Sequence, residues 1–195
     1  MSDNQKAKPP GAGRSSFDLI DAEKLFHEIE ISPAMTFLDL GCGVGTYSIA
    51  VSGRLGREGL VYAIDLWEEG IAILRDRIAK EGYTNIKTRI ADIGAAIPLE
   101  DRSVDVCLVA TVLHDLVESG VQEGTLREAS RVIKPQGKLI IVEFKKIDGP
   151  PGPPKSIRLS PQEVDKLVVP HGFSVKSFAE LGPYHYMSIF QLNLS

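Results

Sequence analysis

The chain alternates short apolar runs with stripes of apolar residues at helical spacing, and that alternation predicts its elements. Apolar runs around Phe37 and Leu38, at Leu60–Ile64, at Ile86–Ile90, at Asp105–Ala110 and at Lys138–Phe144 read as strands. The unbroken run at Asp105–Ala110 is the pattern of a strand covered on both faces. Between these runs the spacing changes to that of helices. Leu25, Phe26 and Ile29 form an apolar face over Ala22–Ile29, with Asp21 as N-cap and Ser32-Pro33 as the stop. Tyr47–Leu55 is expected to be helical and to end near Gly53 and Gly56. Trp67–Glu81 carries Ile71, Leu74 and Ile78 against charged Arg75, Arg77 and Lys80, and stops at Gly82. Leu126, Ala129 and Ile133 make the stripe of another helix, and Lys134–Gly137 reads as the turn that follows it.

Beyond Lys145 the pattern breaks. Gly149-Pro-Pro-Gly-Pro-Pro154 sustains neither helix nor sheet, so residues 145–159 read as a long, stiff connection. Ser160, Pro161 and Glu163 then supply an N-cap, a first-turn proline and a capping-box partner for a helix over Pro161–Pro170, closed by His171-Gly172. Phe173–Glu180 and Tyr186–Leu192 are expected to be a hairpin joined through Leu181–Tyr184. A βα alternation with a terminal hairpin implies an α/β domain with a mostly parallel sheet and one antiparallel strand.

Composition narrows this further. With 195 residues and 43% hydrophobic content, one core and one domain over 17–195 are expected. Residues 1–16, rich in Lys, Pro, Gly and Ser without apolar periodicity, read as a disordered tail. A net charge of -4 with scattered Lys and Arg argues against a nucleic-acid surface. No apolar run approaches the roughly 18 residues of a membrane span, and no signal peptide is evident. Cys42 and Cys107 lie on different elements and suit a reducing cytoplasm. Oligomeric state is not legible.

The candidate chemistry centres on Asp39-Leu-Gly-Cys-Gly-Val-Gly45, a strand end running into a glycine loop that opens a helix. Such a loop lets backbone N–H groups approach a ligand closely. A dinucleotide loop reads G-x-G-x-x-G, with its third glycine where Thr46 stands; here it comes one residue early, at Gly45. Asp65 ends the next strand about twenty residues on, the spacing of a ribose-binding carboxylate.

With these residues, Ala91-Asp92 and the run Val104–Ala110 leading into Thr-Val-Leu-His-Asp115, the chain resembles the class I S-adenosylmethionine-dependent methyltransferases from about Phe17 to Leu192. The resemblance implies a three-layer Rossmann-like sandwich with a seven-stranded sheet of order 3-2-1-4-5-7-6. It implies S-adenosyl-L-methionine as cofactor and a small-molecule methyl acceptor as partner. Asp65 would take the ribose hydroxyls, Asp92 the adenine amino group with Ile93 beside the ring, and Leu66 and Trp67 would be apolar walls. Asp39, Gly41, Gly43, Gly45 and Ala110 complete the expected cofactor site, and no metal is expected. Each has a plainer reading: Asp92 before Ile-Gly is also a turn former, and Trp67 also suits a core.

The acceptor side offers His185, the preferred general base, with His114 and Tyr184 as further candidates. Asp115 and Glu143 lie near the same strand ends. A nicotinamide-dependent oxidoreductase and a non-catalytic cofactor-binding module are the alternatives. Thr46 in place of a third glycine disfavours the first.

Overall fold

The computed structural model describes Gly13 and residues 15–194. The expected tail lies mostly outside the described residues, but its last residue, Ser16, is 5% exposed and belongs to the folded body. A 3-10 turn over Phe17–Leu19 follows. Helix α1 (Ala22–Ile29) is capped by Asp21, which accepts from the Lys24 N–H, and it buries Leu25, Phe26 and Ile29.

The βα alternation becomes β1 (Thr36–Leu40), α2 (Thr46–Ser52), β2 (Leu60–Asp65), α3 (Glu68–Glu81), β3 (Ile86–Ile90) and β4 (Val104–Ala110). Then come α4 (Leu113–Glu118), α5 (Gln122–Val132), β5 (Ile133–Phe144), α6 (Pro161–Val168), β6 (Phe173–Glu180) and β7 (His185–Leu192). The sheet order is β3-β2-β1-β4-β5-β7-β6, with β7 antiparallel to both β5 and β6. Each remaining neighbouring pair is parallel, so the expected order and the antiparallel strand are both present.

Two apolar layers cover the sheet. One face packs Leu38, Leu40, Val109 and Leu139 against residues of α4, α5 and α6; the other packs Phe37, Leu108, Ile140 and Met187 against α1, α2 and Leu74 of α3. Strand β4 is buried almost throughout because both layers meet on it. No helix among the described residues is long and apolar enough to cross a membrane.

Some boundaries differ from expectation for local reasons. Ile133, expected on the helix stripe, is extended and begins β5, because Pro135 lies two residues on and Val104 offers a parallel partner. The expected turn Lys134–Gly137 therefore becomes the irregular start of that strand, with Gln136 at φ 65 and a register shift opposite Val104 and Val106. Helix α2 is shorter than expected, and α4 was not signalled by its six residues. At α6 the capping box between Ser160 and Glu163 is formed, and left-handed Gly172 ends the 3-10 turn Val169–His171.

The connection over residues 145–159 is held from within. Arg158, 2% exposed, donates to the carbonyls of Lys145, Ile147, Gly149, Pro151 and Pro153 at 2.7–3.2 Å. All five guanidinium donors are thus used on one loop.

Candidate active site

The carboxyl ends of β1, β2 and β4 meet at one edge of the sheet, where an open α/β sheet leaves a crevice. The glycine loop borders it, and its three glycines do different jobs. A Cβ on Gly41 would fall 2.9 Å from Val112, and one on Gly45 would fall 2.3 Å from Leu74. These two are small because the chain's own side chains press on them. A Cβ on Gly43 would meet nothing within 4 Å, so here the loop faces open space.

The loop's N–H groups are also largely committed. Gly41 and Cys42 donate to the Ile64 carbonyl, Gly45 to the Cys42 carbonyl, and Gly43 to Asp65. Three of the loop's N–H groups thus tie it to β2 and a fourth closes the loop on itself, while the room lies at Gly43.

Asp65 faces this opening. Its Oδ2 accepts from Gly43 at 2.7 Å and its Oδ1 from Trp67 at 2.8 Å. A carboxylate has about four lone-pair sites, so acceptor capacity remains on both oxygens. Half-buried Leu66 and buried Ile93 stand near the same strand ends. Trp67 is buried on its own helix, where a Cβ on Gly70 would fall 2.3 Å from its ring. Asp92 is exposed, and one oxygen accepts from the Gly94 N–H at 3.0 Å, so it forms its turn whatever else it does. Room at Gly43 beside an incompletely used carboxylate fits a ligand with a ribose diol. Ala110 ends β4 half-buried.

Asp39 is 2% exposed and accepts from the Ser48 hydroxyl. Burial pushes its carboxyl up to about 7, against the pull of that hydrogen bond, and the Asp65 charge adds to the rise. A cation placed beside it would restore its ionisation.

Past β4 the character of the edge changes. Thr111 holds φ 54, a left-handed conformation that strains a β-branched residue. Its hydroxyl lies 3.2 Å from that of Ser16, which in turn lies 2.9 Å from the Tyr47 hydroxyl. Three hydroxyls from distant parts of the chain thus converge beside the glycine loop.

His114, 4% exposed, is clamped by Glu143. The Nδ1 lies 3.0 and 2.9 Å from the two carboxylate oxygens, and the His114 backbone N–H donates to the same group at 3.1 Å. A carboxylate only accepts, so Nδ1 carries the proton and Nε2 holds the lone pair of the neutral ring. Nε2 is 3.6 Å from Asp115, too far for a good hydrogen bond. Burial alone would lower the imidazole's affinity for a proton. The hydrogen bond and charge of Glu143, with Asp115 and Glu118, outweigh burial and leave it raised.

His185 is different. It is fully buried, its ring is 4.3 Å from that of Phe144, and neither nitrogen hydrogen-bonds to any described residue. Burial pushes it down to about 4, with the Arg158 and Lys145 charges adding to the fall. The Leu19 carbonyl opposes the shift but lies outside hydrogen-bond geometry. Leaving a buried polar group unpaired costs about 1–3 kcal/mol. A base this weak is poorly matched to neutral pH. Tyr184 is half-buried at the hairpin turn, and its carbonyl accepts from Lys145 at 2.7 Å.

A surface cavity of about 660 Å³ lies elsewhere, lined by Glu23, Phe26, His27, Arg54 and neighbouring residues. It touches none of the groups above. Sequence reading missed Ser16, Tyr47 and Thr111, and only the position of Tyr47 just after the loop could have drawn attention to one of them.

Comparison with known proteins bears on the fold and the family. A family model described as a methyltransferase domain matches residues 31–178. The crystal structure of a SAM dependent methyltransferase from Aquifex aeolicus is 31% identical, with a TM-score of 0.83 over 96% of each chain. The ubiquinone/menaquinone biosynthesis C-methyltransferase UbiE of Shewanella sp. strain W3-18-1 is 30% identical over 123 residues, 62% of this chain and 48% of that protein. The UbiE of Paraburkholderia phymatum is 32% identical over 123 residues, 63% of this chain and 49% of its own length. The chain thus spans about half the length of these curated relatives.

Proposed function

The chain belongs to the S-adenosylmethionine-dependent methyltransferases, and from that membership we propose that it moves a methyl group from S-adenosylmethionine to a small-molecule acceptor. This reading replaces the nicotinamide-dependent alternative. The observation that carries it is the opening at Gly43 faced by Asp65, whose oxygens retain room for a diol. A net charge of -4 supports a small acceptor over a nucleic acid.

Asp65 would hold the ribose hydroxyls, Asp92 and Ile93 the adenine, and Leu66 and Trp67 the apolar flank. Asp39 and Gly41 would lie toward the methionine end, beside Gly45 and Ala110. The cofactor supplies a methyl group on a sulfonium, already an activated leaving group. What remains for the protein is to orient the acceptor, exclude water and remove a proton.

His114 is the residue suited to that proton. Its Nε2 lone pair is free to accept, Glu143 fixes the tautomer, and the buried carboxylate stabilises the imidazolium that forms. The acceptor therefore carries a weakly acidic proton, such as that of a phenol or enol. The linked hydroxyls of Ser16, Tyr47 and Thr111 would border the acceptor on the side of the glycine loop.

Calorimetric titration with S-adenosylmethionine, followed by assay of S-adenosylhomocysteine release on phenolic, enolic, thiol and amine acceptors, tests the reading. Micromolar cofactor binding with turnover confined to acceptors that carry a weakly acidic O–H or S–H proton is expected. Absence of cofactor binding would overturn it, and turnover of amines alone would remove His114 from its role.

A further inference from the structure

The last strand begins with a polar side chain for which the fold itself has no partner. His185 is fully buried at the first position of β7, opposite Phe144 of β5, and both ring nitrogens lack a hydrogen bond to the described residues. A neutral imidazole has one N–H to give and one lone pair to fill. Folded proteins rarely leave such a group unsatisfied without a functional reason.

Its surroundings point toward the reacting edge. The Phe144 ring lies 4.3 Å from His185 and 6.2 Å from His114, so both imidazoles border one apolar ring. The Leu19 backbone of a short turn approaches His185 without a hydrogen bond of good geometry. The 3-10 turn Phe17–Leu19 contains no buried residue. It is tied down by the Ser16 hydroxyl and by a 3.3 Å bond from the Asp21 N–H to the Leu181 carbonyl. The turn also carries Phe17, whose ring packs against those of Phe26 and Tyr47 at 6.2 and 5.1 Å, so uncovering His185 moves Phe17 off the edge of that layer.

Resting on the methyl-transfer reading above, we propose that His185 is a specificity residue that binds a second polar group of the methyl acceptor. The acceptor is then a small planar molecule with two hydrogen-bonding groups, one that loses its proton to His114 and one that pairs with His185. A hydroxyl suits the second position because it can both donate and accept.

The test uses the full chain saturated with S-adenosylhomocysteine and two probes, catechol and phenol, titrated by calorimetry. The wild type should bind catechol at least about fivefold more tightly than phenol, since a site that pairs a hydroxyl discriminates against its absence. His185→Leu and His185→Phe should each lose that preference while keeping phenol affinity. Without ligand, His185→Leu should melt about 2–4 °C higher, because an unpaired buried group has been removed. Equal binding of the probes by the wild type overturns the proposal, as does a His185→Leu protein that keeps the preference or melts lower. Failure of both variants to fold would make the role structural and overturn it too. Loss of S-adenosylhomocysteine binding by the wild type would strike the methyl-transfer reading itself, whereas equal probe affinity with that ligand bound strikes only this one.

Discussion

The two halves of the sheet edge at the carboxyl ends of the parallel strands are built differently. The half at the ends of β1 and β2 uses backbone and short-range contacts: Gly43 to Asp65, Asp65 to Trp67, Gly41 to Ile64. Its key carboxylate, Asp65, is half-buried and keeps spare acceptor capacity. The half past β4 is assembled from Ser16, Tyr47, Thr111, His114, Glu143 and His185, and most of these polar groups are sealed from water. A site for a ligand common to a whole family can be written into one βαβ unit. A site for the acceptor requires strands far apart in sequence to come into register.

The comparison predicts unequal consequences of mutation. The largest belong to the buried pair. His114→Ala should lower kcat by about 10²–10⁴-fold with cofactor affinity unchanged, because it removes a proton acceptor and nothing that touches the cofactor. Glu143→Gln should also lower kcat, by less, since Gln can still orient the ring but no longer stabilises its charge. The pH profile separates the two histidines. Activity requires the neutral base, so the rate rises with pH through the base's own pKa. His114 is raised by Glu143 despite burial, which puts that rise above the ordinary imidazole value of about 6.5. His185, pushed down to about 4, would put the rise well below neutrality. A rise near 4 that survives in His114→Ala would return the role to His185.

On the cofactor side the glycines differ among themselves. Gly45→Ala should destabilise the fold by about 2–4 kcal/mol, because it combines a left-handed backbone at φ 75 with a Cβ driven into Leu74. Gly43→Ala, at φ 55 with no neighbour in reach, should lose only about 1–2 kcal/mol for its backbone yet weaken cofactor binding more. Denaturant melts and calorimetry on both variants check this. Equal stability losses would mean that Leu74 moves aside freely.

This contrast also explains what could be read without coordinates. The meeting of Asp39, the glycine loop and Asp65 at one sheet edge was legible because it depends on spacing within about thirty residues, and the strand order followed from the family they indicate. His114 was visible as a candidate, but its rank against His185 was not. The proposed rank depends on Glu143 arriving beside it from β5 and on no described residue hydrogen-bonding to His185. Ser16 looked like tail because its burial comes from Tyr47 and Thr111, contacts 31 and 95 residues away. Ile133 misled because helical spacing continues through it, and only the pairing with Val104 and the proline at 135 make it extended.

The smallest effects distinguish the two exposed-edge carboxylates. Asp65→Ala should weaken S-adenosylmethionine binding by at least about tenfold, since a partly buried charged acceptor contributes about 1.5–3 kcal/mol per bond. It also leaves the Gly43 and Trp67 N–H groups without their partner. Asp92→Asn should weaken binding by only about threefold, the share left to a solvent-exposed hydrogen bond. Asn keeps an oxygen for the Gly94 N–H, so the turn survives, while the second position changes from acceptor to donor. A drop as large as that of Asp65→Ala would show that the bound ligand buries Asp92. No change at all would leave Asp92 as the turn former that its own backbone partner already makes it.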